Sequence, residues 1–146
     1  MIREITAGEL PALAKLGFEF FREAGFTEEF VPEIFVQSYT SCMEAGCAKI
    51  FCSFTDLGEI QGTIGLVIGP DPNNGRLYAQ EAFWFVKKEH RGCGVRLLKY
   101  AEDYAKSAGV YRMMMAHLTS LAPTTLKSLY LRLGYLESET YYRKTL

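Results

Sequence analysis

The sequence predicts an α+β protein, of the three-layer α/β kind, in which helices flank a central mixed, mostly antiparallel sheet. Three observations support this class. The region from Lys49 to Val86 holds short segments rich in aromatic and β-branched residues, separated by turn formers. Apolar residues recur at helical spacing before and after this region. The 146 residues suffice for about one domain, so we expect a single domain over residues 1–146.

The first predicted elements are a short strand and two helices. A strand is predicted at Ile2–Ile5, and Thr6–Glu9 has the spacing of a capping box. The following helix is expected to end near Gly25, with a core face made of Leu10, Leu13, Leu16 and Phe20. A second helical segment is predicted over Thr27–Gly46, with helical spacing of Phe30, Ile34, Phe35 and Cys42. Because Pro32 fits only the first turn of a helix, the start of this segment stays open.

The middle of the chain is predicted to form strands. Segments 49–55 and 61–68 are joined by the turn formers of residues 56–59, so we expect them to pair as an antiparallel hairpin. The turn formers of residues 70–75 then lead to a strand over residues 77–86. This strand runs directly into a loop that contains two glycines.

Two further helices and two further strands complete the predicted order. A helix with one apolar face follows the loop and stops at Gly109. The pattern of residues 110–118 fits a buried strand or a short buried helix, and we expect the strand because a βαβ unit needs a parallel partner. A last helix begins at Pro123 and is stopped by Gly134, before a final strand at 140–145. The predicted order is therefore β-α-α-β-β-β-α-β-α-β.

The composition argues against several classes of function. There are 16 Lys plus Arg and 17 Asp plus Glu, so we expect neither a nucleic-acid nor a membrane partner. The four cysteines form no Cys-x-x-Cys pair, and we expect free thiols and no metal site. The start of the chain lacks the apolar run of a signal peptide. These features predict a cytoplasmic protein that folds alone or as a simple oligomer such as a homodimer.

The loop at Arg91–Arg96 has the chemistry of an anion site. N–H groups at the start of a helix lack intrahelical partners and lie at the positive end of the helix dipole. Gly92 and Gly94 keep side chains away from a pyrophosphate, and glycine also permits positive φ angles that turn successive amides toward one anion. Arg91 and Arg96 add forked cationic donors. The spacing matches neither Gly-x-x-x-x-Gly-Lys-Ser/Thr nor Gly-x-Gly-x-x-Gly, so those nucleotide loops are not expected.

Two segments carry a resemblance to a known family. The first resembles the Arg/Gln-x-x-Gly-x-Gly/Ala loop that holds the acetyl-CoA pyrophosphate in the GNAT acetyltransferase superfamily: Arg91-Gly92-Cys93-Gly94-Val95-Arg96. The second resembles that superfamily's Leu-Tyr-x-Lys/Arg-x-Gly-Phe segment: Leu129-Tyr130-Leu131-Arg132-Leu133-Gly134-Tyr135. They lie on either side of a predicted strand, as in a GNAT domain. The closing residues 134–144 also resemble the tails of bacteriophage and prophage members.

The sequence departs from the family pattern at two places. Arg96 replaces the final small residue of the loop, so its side chain must swing aside or contact the phosphate itself. Residues 123–125, Pro-Thr-Thr, occupy the region where many members carry an asparagine at the start of a helix. The second departure bears on cofactor contacts from that side and not on the fold.

The resemblance implies a GNAT-like fold and an acetyl-CoA-dependent N-acetyltransferase. Such an enzyme transfers the acetyl group of acetyl-CoA, its co-substrate, to a primary amine of a small molecule or protein by direct attack on the thioester. The resemblance implies that strand amides near Phe85 and Val86 pair with the pantetheine arm, while residues 91–96 hold the pyrophosphate. Tyr130 would be the general acid for the departing thiolate, because a phenol keeps its proton at neutral pH.

The sequence offers two main candidates for the base that deprotonates the substrate ammonium. Glu81 lies near the start of the strand that leads to the loop, where GNAT enzymes sometimes place a carboxylate. His117, at the end of the next predicted strand, is a second candidate. His90 is expected to be solvated. Cys93 lies at a helix N-terminus, which favours a thiolate, but its place in the motif belongs to phosphate binding.

Two other functions stay open at this point. Arg96 and the missing asparagine favour a CoA-binding or interaction module without turnover, such as a phage structural or regulatory component. The basic loop also fits an α+β domain that binds a different anion.

Overall fold

One five-stranded sheet, with the strand order β1-β2-β3-β4-β5, organises residues 1–116. The computed structural model describes residues 1–26, 28–118 and 123–146, and residues 117–146 form a second unit. The strands are β1 (Ile2–Glu4), β2 (Ala48–Phe54), β3 (Ile60–Pro70), β4 (Leu77–Val86) and β5 (Arg112–Met114). The α-helices are α1 (Leu10–Ala24), α2 (Pro32–Glu44), α3 (Gly94–Ser107) and α4 (Pro123–Arg132). Short 3-10 helices span Ala7–Glu9 and Lys88–Cys93.

The pairing of the strands confirms the predicted sheet. Strands β1 to β4 pair antiparallel with their sequence neighbours, whereas β4 and β5 pair parallel across the crossover made by α3. The order of elements also agrees with the prediction as far as α4. The hairpin, the βαβ unit and the placing of the helices could therefore all be predicted from the sequence pattern.

The predicted final strand is wrong, because residues 135–146 form no strand. The segment has strand-forming residues, but residues 136–146 are all exposed and have no apolar face against a core. Strand propensity mostly reflects packing against neighbouring strands rather than a preference of the backbone itself. Glu137 instead pairs with Lys127 of α4 at 2.7 Å.

The second helix starts later than predicted, at Pro32. Val31 before it has extended backbone angles, φ −105 and ψ 104, because the proline ring disfavours the helical region for the preceding residue. Phe30 therefore lies outside α2, and Thr27 lies outside the described residues. Strand β5 is also shorter than the predicted 110–118 segment.

The core has a layer on each face of the sheet. On one face, a cluster from the first helix and strand β2 contains Ile5, Leu10, Leu13, Leu16, Ile50, Cys52 and Phe54. On the other face, the ring of Phe51 contacts those of Tyr100 and Tyr104 on α3, with centroids 5.3 Å and 5.1 Å away. Side chains alternate along β2, so α1 and α3 cover opposite faces. This is the predicted three-layer arrangement.

Each of the four α-helices ends in a Schellman motif. A glycine with φ between 67° and 87° follows each helix, at positions 25, 46, 109 and 134. The next residue donates its N–H to the carbonyl five positions earlier, as in the pairs Phe26–Phe21, Cys47–Cys42, Val110–Ala105 and Tyr135–Tyr130. This motif brings together the side chains of the two residues in each pair. The rings of Phe21 and Phe26 lie 4.8 Å apart between centroids.

Over residues 1–26, 28–118 and 123–146, no helix is long and apolar enough to cross a membrane. The same ranges contain no group of three or more His, Cys, Asp or Glu residues arranged to hold a metal ion.

Asp71 ties the β3–β4 turn to strand β5. Its side chain is only 4% exposed and accepts hydrogen bonds from the Tyr111 hydroxyl, from Arg112 Nη2 at 2.9 Å and from the Asn73 N–H at 2.9 Å. The Tyr111 hydrogen bond, followed by the bond from the Asn73 backbone, lowers the pKa of Asp71. The charged form is therefore the one that the folded state stabilises.

We predict that Asp71→Asn lowers the melting temperature by several degrees at neutral pH, because a neutral amide weakens bonds made to a carboxylate. The lowered pKa means that the wild-type advantage is present above the unfolded pKa of about 3.9 and is lost as the pH falls through the folded value. Thermal unfolding of both proteins from neutral pH to acid measures the difference in melting temperature. Asp103→Asn, at an exposed site on α3, is the control. An equal effect of both substitutions at neutral pH would contradict the prediction.

Candidate functional site

A β-bulge interrupts the pairing of β4 with β3. Phe83 lies opposite Gly65 and Glu81 lies opposite Leu66, so Ala82 is an extra residue without a partner on β3. A bulge of this kind bends a strand and changes which side its backbone groups face. A Cβ at Gly65 would lie 2.5 Å from the Phe83 ring, which explains why a glycine occupies the middle of strand β3.

Hydrogen bonds on the two sides of the bulge show this change of side. Before it, the N–H of Asp71 donates to the carbonyl of Arg76 at 2.8 Å, so even-numbered residues from 76 onward face β3. After it, the N–H of Lys87 donates to the carbonyl of Gln61 at 2.9 Å, so odd-numbered residues face β3. Backbone groups alternate along a strand. The N–H and C=O of Val86 therefore face away from β3.

The bulge separates the two strand residues predicted to bind a cofactor. Phe85 lies opposite Thr63, and its backbone groups face β3. Val86 faces the other side, where the ladder with β5 covers only residues 78–80 and 112–114. Within the described ranges, no strand covers this side of Val86. The backbone of Val86 thus lies at an open strand edge. Phe85 can contact a cofactor only through its side chain, because its backbone faces β3.

Aromatic rings cover one face of this part of β4. Phe83 and Phe85 pack against the core cluster below α1 and α2. The ring of Phe85 lies 5.1 Å from that of Phe20, and the ring of Phe83 lies 5.2 Å from that of Tyr39. These rings are half-buried rather than fully enclosed. They fix the position of the strand on its α1–α2 face.

Glu81 lies where β4 and β5 separate. It directly precedes the bulge, and its Oε2 accepts the N–H of Ala116 at 3.0 Å. Ala116 follows β5, so the carboxylate bridges the two chain segments at the point where their ladder has ended. The structure therefore places this predicted base at the opening between the strands.

The loop after β4 forms the 3-10 helix Lys88–Cys93, which continues directly into α3. The N–H of Gly94 donates to the Arg91 carbonyl within this turn. Neither Gly92 nor Gly94 has a positive φ, and Gly94 is helical at φ −58 and ψ −47. The expectation that positive φ angles turn these amides toward an anion is therefore wrong, because a 3-10 turn that leads into a helix keeps its residues in the helical region.

Gly92 and Gly94 instead leave space for the close approach of other groups. Gly92 is exposed, and a Cβ there would meet no atom within 4 Å, so a ligand can approach the backbone closely. A Cβ at Gly94 would lie 3.5 Å from Val86 Cγ2 and 3.6 Å from Trp84 Cζ2. The start of α3 thus packs closely on the end of β4. Of the other predicted loop residues, Val95 is half-buried and Cys93 is 4% exposed.

The start of α3 carries positive charge that the described acidic residues do not neutralise. Arg91 and Arg96 are exposed, and neither has an acidic partner within 4 Å among the described residues, whereas Lys88 pairs with Glu23 at 3.3 Å. The first turn of α3 contains no acidic residue, and Cys93 makes no side-chain cap. A cation in the first turn opposes the helix dipole, and an anion would relieve this cost.

Tyr130 belongs to the second unit and lies in α4. It is 8% exposed, and its ring lies 5.4 Å from that of Tyr135. Both residues belong to the Schellman motif that ends this helix, since the Tyr135 N–H donates to the Tyr130 carbonyl at 3.0 Å. The spacing from this tyrosine to Gly134 is therefore also a helix-capping signal.

The other residues considered from the sequence differ in their surroundings. His117 Nε2 is buried and has no hydrogen-bond partner among the described residues. His90 is half-buried rather than fully solvated, and its N–H donates to the Lys87 carbonyl at 2.9 Å. The low exposure of Cys93 makes a nucleophilic thiol at this position inaccessible.

The bulge at Ala82 was not predicted from the sequence, although a glycine inside a strand, here Gly65, is a known signal of a bulge.

A model of the acetyltransferase (GNAT) family matches residues 11–135. No curated protein matches the chain.

Three solved structures illustrate the structural similarity. A predicted acetyltransferase with acetyl-CoA from Clostridium acetobutylicum is 12% identical, with a TM-score of 0.77 over 99% of this chain and 95% of that one. Glucosamine-6-phosphate N-acetyltransferase from Arabidopsis thaliana is 18% identical, with a TM-score of 0.75 over 99% and 97%. Ribosomal-protein-alanine N-acetyltransferase from Brucella melitensis biovar Abortus 2308 is 16% identical, with a TM-score of 0.72 over 100% and 99%.

At these identities the structural matches show the fold. The family model covers most of the sequence, from the start of α1 to the residue after Gly134, and includes both segments that resemble GNAT motifs. The chain therefore belongs to the acetyltransferase (GNAT) family.

Proposed function

We propose that this chain transfers the acetyl group of acetyl-CoA to a primary amine of a small molecule or protein. The observation that carries the proposal is the continuous path from an open backbone edge at Val86 to an exposed basic loop at Arg91–Arg96. One of the similar structures contains acetyl-CoA, and two are named N-acetyltransferases.

The chain offers groups that suit each part of acetyl-CoA. An extended amide-containing arm can pair with the outward-facing backbone of Val86 as a further strand would. A pyrophosphate at the start of α3 would meet the exposed guanidinium groups of Arg91 and Arg96 and the open space at Gly92. When bound, acetyl-CoA supplies an acetyl group activated as a thioester.

The transfer needs two proton movements, for which we propose two residues. As the amine nitrogen forms its bond to the acetyl carbon, the carbon–sulfur bond breaks. Glu81 accepts the proton that the amine loses, directly or through water. Tyr130 gives its phenol proton to the departing sulfur, and general-acid help of this kind contributes about 10²- to 10⁴-fold in rate.

We predict that Gly92→Ala weakens CoA binding at least about tenfold, or about 1.4 kcal/mol, without destabilising the fold. The added methyl group would occupy space that meets no protein atom and that the pyrophosphate is proposed to use. Isothermal titration with CoA and thermal unfolding measure the two effects.

The matched control for this prediction is Gly69→Ala. Gly69 also lacks a positive φ and has open space around its Cβ position, but it lies in β3 away from the loop. Unchanged CoA affinity in Gly92→Ala, with a stable protein, would contradict the assignment of the loop.

We predict that Tyr130→Phe lowers kcat by about 10²-fold and leaves CoA affinity unchanged, because it removes the proton donor and keeps the ring. The ring contact with Tyr135 and the helix end are expected to persist. Thiol release from acetyl-CoA measures turnover over a panel of primary amines that includes polyamines, amino sugars and lysine peptides.

Tyr135→Phe is the control, since it removes a hydroxyl from the other ring of the same contact. A Tyr130→Phe variant with wild-type kcat would remove this tyrosine from the mechanism. Tight CoA binding by the wild type without thiol release for any amine in the panel would instead support a module without turnover.

A further inference from the structure

We propose that Cys42 and Cys47 form a dithiol modification site, which low-molecular-weight disulfides such as glutathione disulfide oxidise to an intramolecular disulfide. The site lies at the end of α2, outside the loop and strands assigned to acetyl transfer. The inference stands on the local geometry of this helix end, so it does not depend on the proposed activity.

The Schellman motif at the end of α2 holds the two cysteine backbones together. Cys47 donates its N–H to the Cys42 carbonyl at 3.0 Å, and Gly46 donates to the Met43 carbonyl at 3.0 Å. The Cys47 thiol also donates to the same Cys42 carbonyl, with Sγ 3.3 Å from the oxygen. In this motif the residues at the two cysteine positions commonly make a side-chain contact.

Two of the other three described α-helix ends show that contact directly. The equivalent residues are Phe21 and Phe26 at the end of α1, with ring centroids 4.8 Å apart, and Tyr130 and Tyr135 at the end of α4, 5.4 Å apart. The same backbone arrangement at the end of α2 therefore holds the side chains of Cys42 and Cys47 next to each other. Burial raises the pKa of the Cys42 thiol, and a hydrogen bond and charge interaction with the Cys47 side chain raise it further.

The two thiols are also the accessible ones. Cys42 and Cys47 are half-buried, whereas Cys52 and Cys93 are buried at 0% and 4% exposure. A soluble disulfide can therefore reach the pair at the end of α2 more readily than the other two thiols.

The reaction is two thiol–disulfide exchanges. The thiolate of one cysteine attacks a sulfur of glutathione disulfide, which forms a mixed disulfide and releases one glutathione as its thiolate. The second cysteine thiolate then attacks the protein-bound sulfur, forms the Cys42–Cys47 bond and releases the second glutathione. Two protein thiols are oxidised, and one glutathione disulfide is reduced to two glutathione molecules. The two protons of the protein thiols pass to solvent or to the released thiolates.

The disulfide would connect the last turn of α2 to the residue that directly precedes β2. It closes a loop of only a few residues, so the denatured chain loses little entropy and the effect on global stability is small. The main effect is local, because the Schellman turn can no longer fray. A direct assay of the bond is therefore sharper than a melting curve.

The test is to incubate the folded wild-type chain with excess glutathione disulfide at mildly alkaline pH, quench it with acid, and measure free thiols and intact mass. We expect two of the four thiols to disappear, with a mass loss of two hydrogens and no glutathione adduct. Cleavage after Glu44, which lies between the two cysteines, should then leave the fragments joined until a reductant is added.

The single substitutions Cys42→Ser and Cys47→Ser remove one partner each. Each variant is expected to keep one glutathione as a stable mixed disulfide, because the resolving thiol is gone. Retention of all four thiols in the wild type, or stable glutathione adducts without an internal link, would overturn the proposal. The proposal would also be overturned if the Cys42→Ser variant still lost two thiols without an adduct, since the disulfide would then join another pair of cysteines.

Discussion

The β-bulge at Ala82 is the constraint on which the candidate site depends. Without it, the backbone groups of the even-numbered residues would face β3 along the whole of β4, and those of Val86 would do the same. With it, the strand pairs with β3 on both sides of Ala82 and pairs with β5 only as far as residue 80. It then presents the backbone of Val86 on the side away from β3. The same extra residue places Glu81 and the ring of Phe83 where the strands separate.

The capping of helix ends explains the sequence of residues 130–135 at the end of α4. The α4 segment ending in Gly134-Tyr135 has the spacing of a Schellman motif, and so do the ends of the other three α-helices. The spacing of the tyrosine, the glycine and the following aromatic residue is thus accounted for by capping and ring packing. A chemical role for Tyr130 rests on its hydroxyl group, not on its place in the motif.

Much of the fold could be predicted from the sequence, because periodicity and turn formers act locally. Gly25, Gly46, Gly109 and Gly134 marked the helix ends correctly, and all have positive φ. The final strand was predicted wrongly, since strand-forming residues alone do not make a strand and residues 135–146 form none. The bulge and the resulting change in which residues face β3 were also not predicted, because they depend on the register between two strands. The basic, glycine-containing loop was located correctly, but the backbone angles of Gly92 and Gly94 were not.

Amide hydrogen exchange of Val86 and Phe85, with and without CoA, tests the central claim most directly. The two residues are adjacent, but the bulge directs the Phe85 N–H at β3 and the Val86 N–H at the open edge. The account predicts that CoA slows exchange at Val86 markedly, while Phe85 exchanges slowly in both states. Equal protection of both amides in the absence of CoA, or no change at Val86 when CoA is bound, would contradict it.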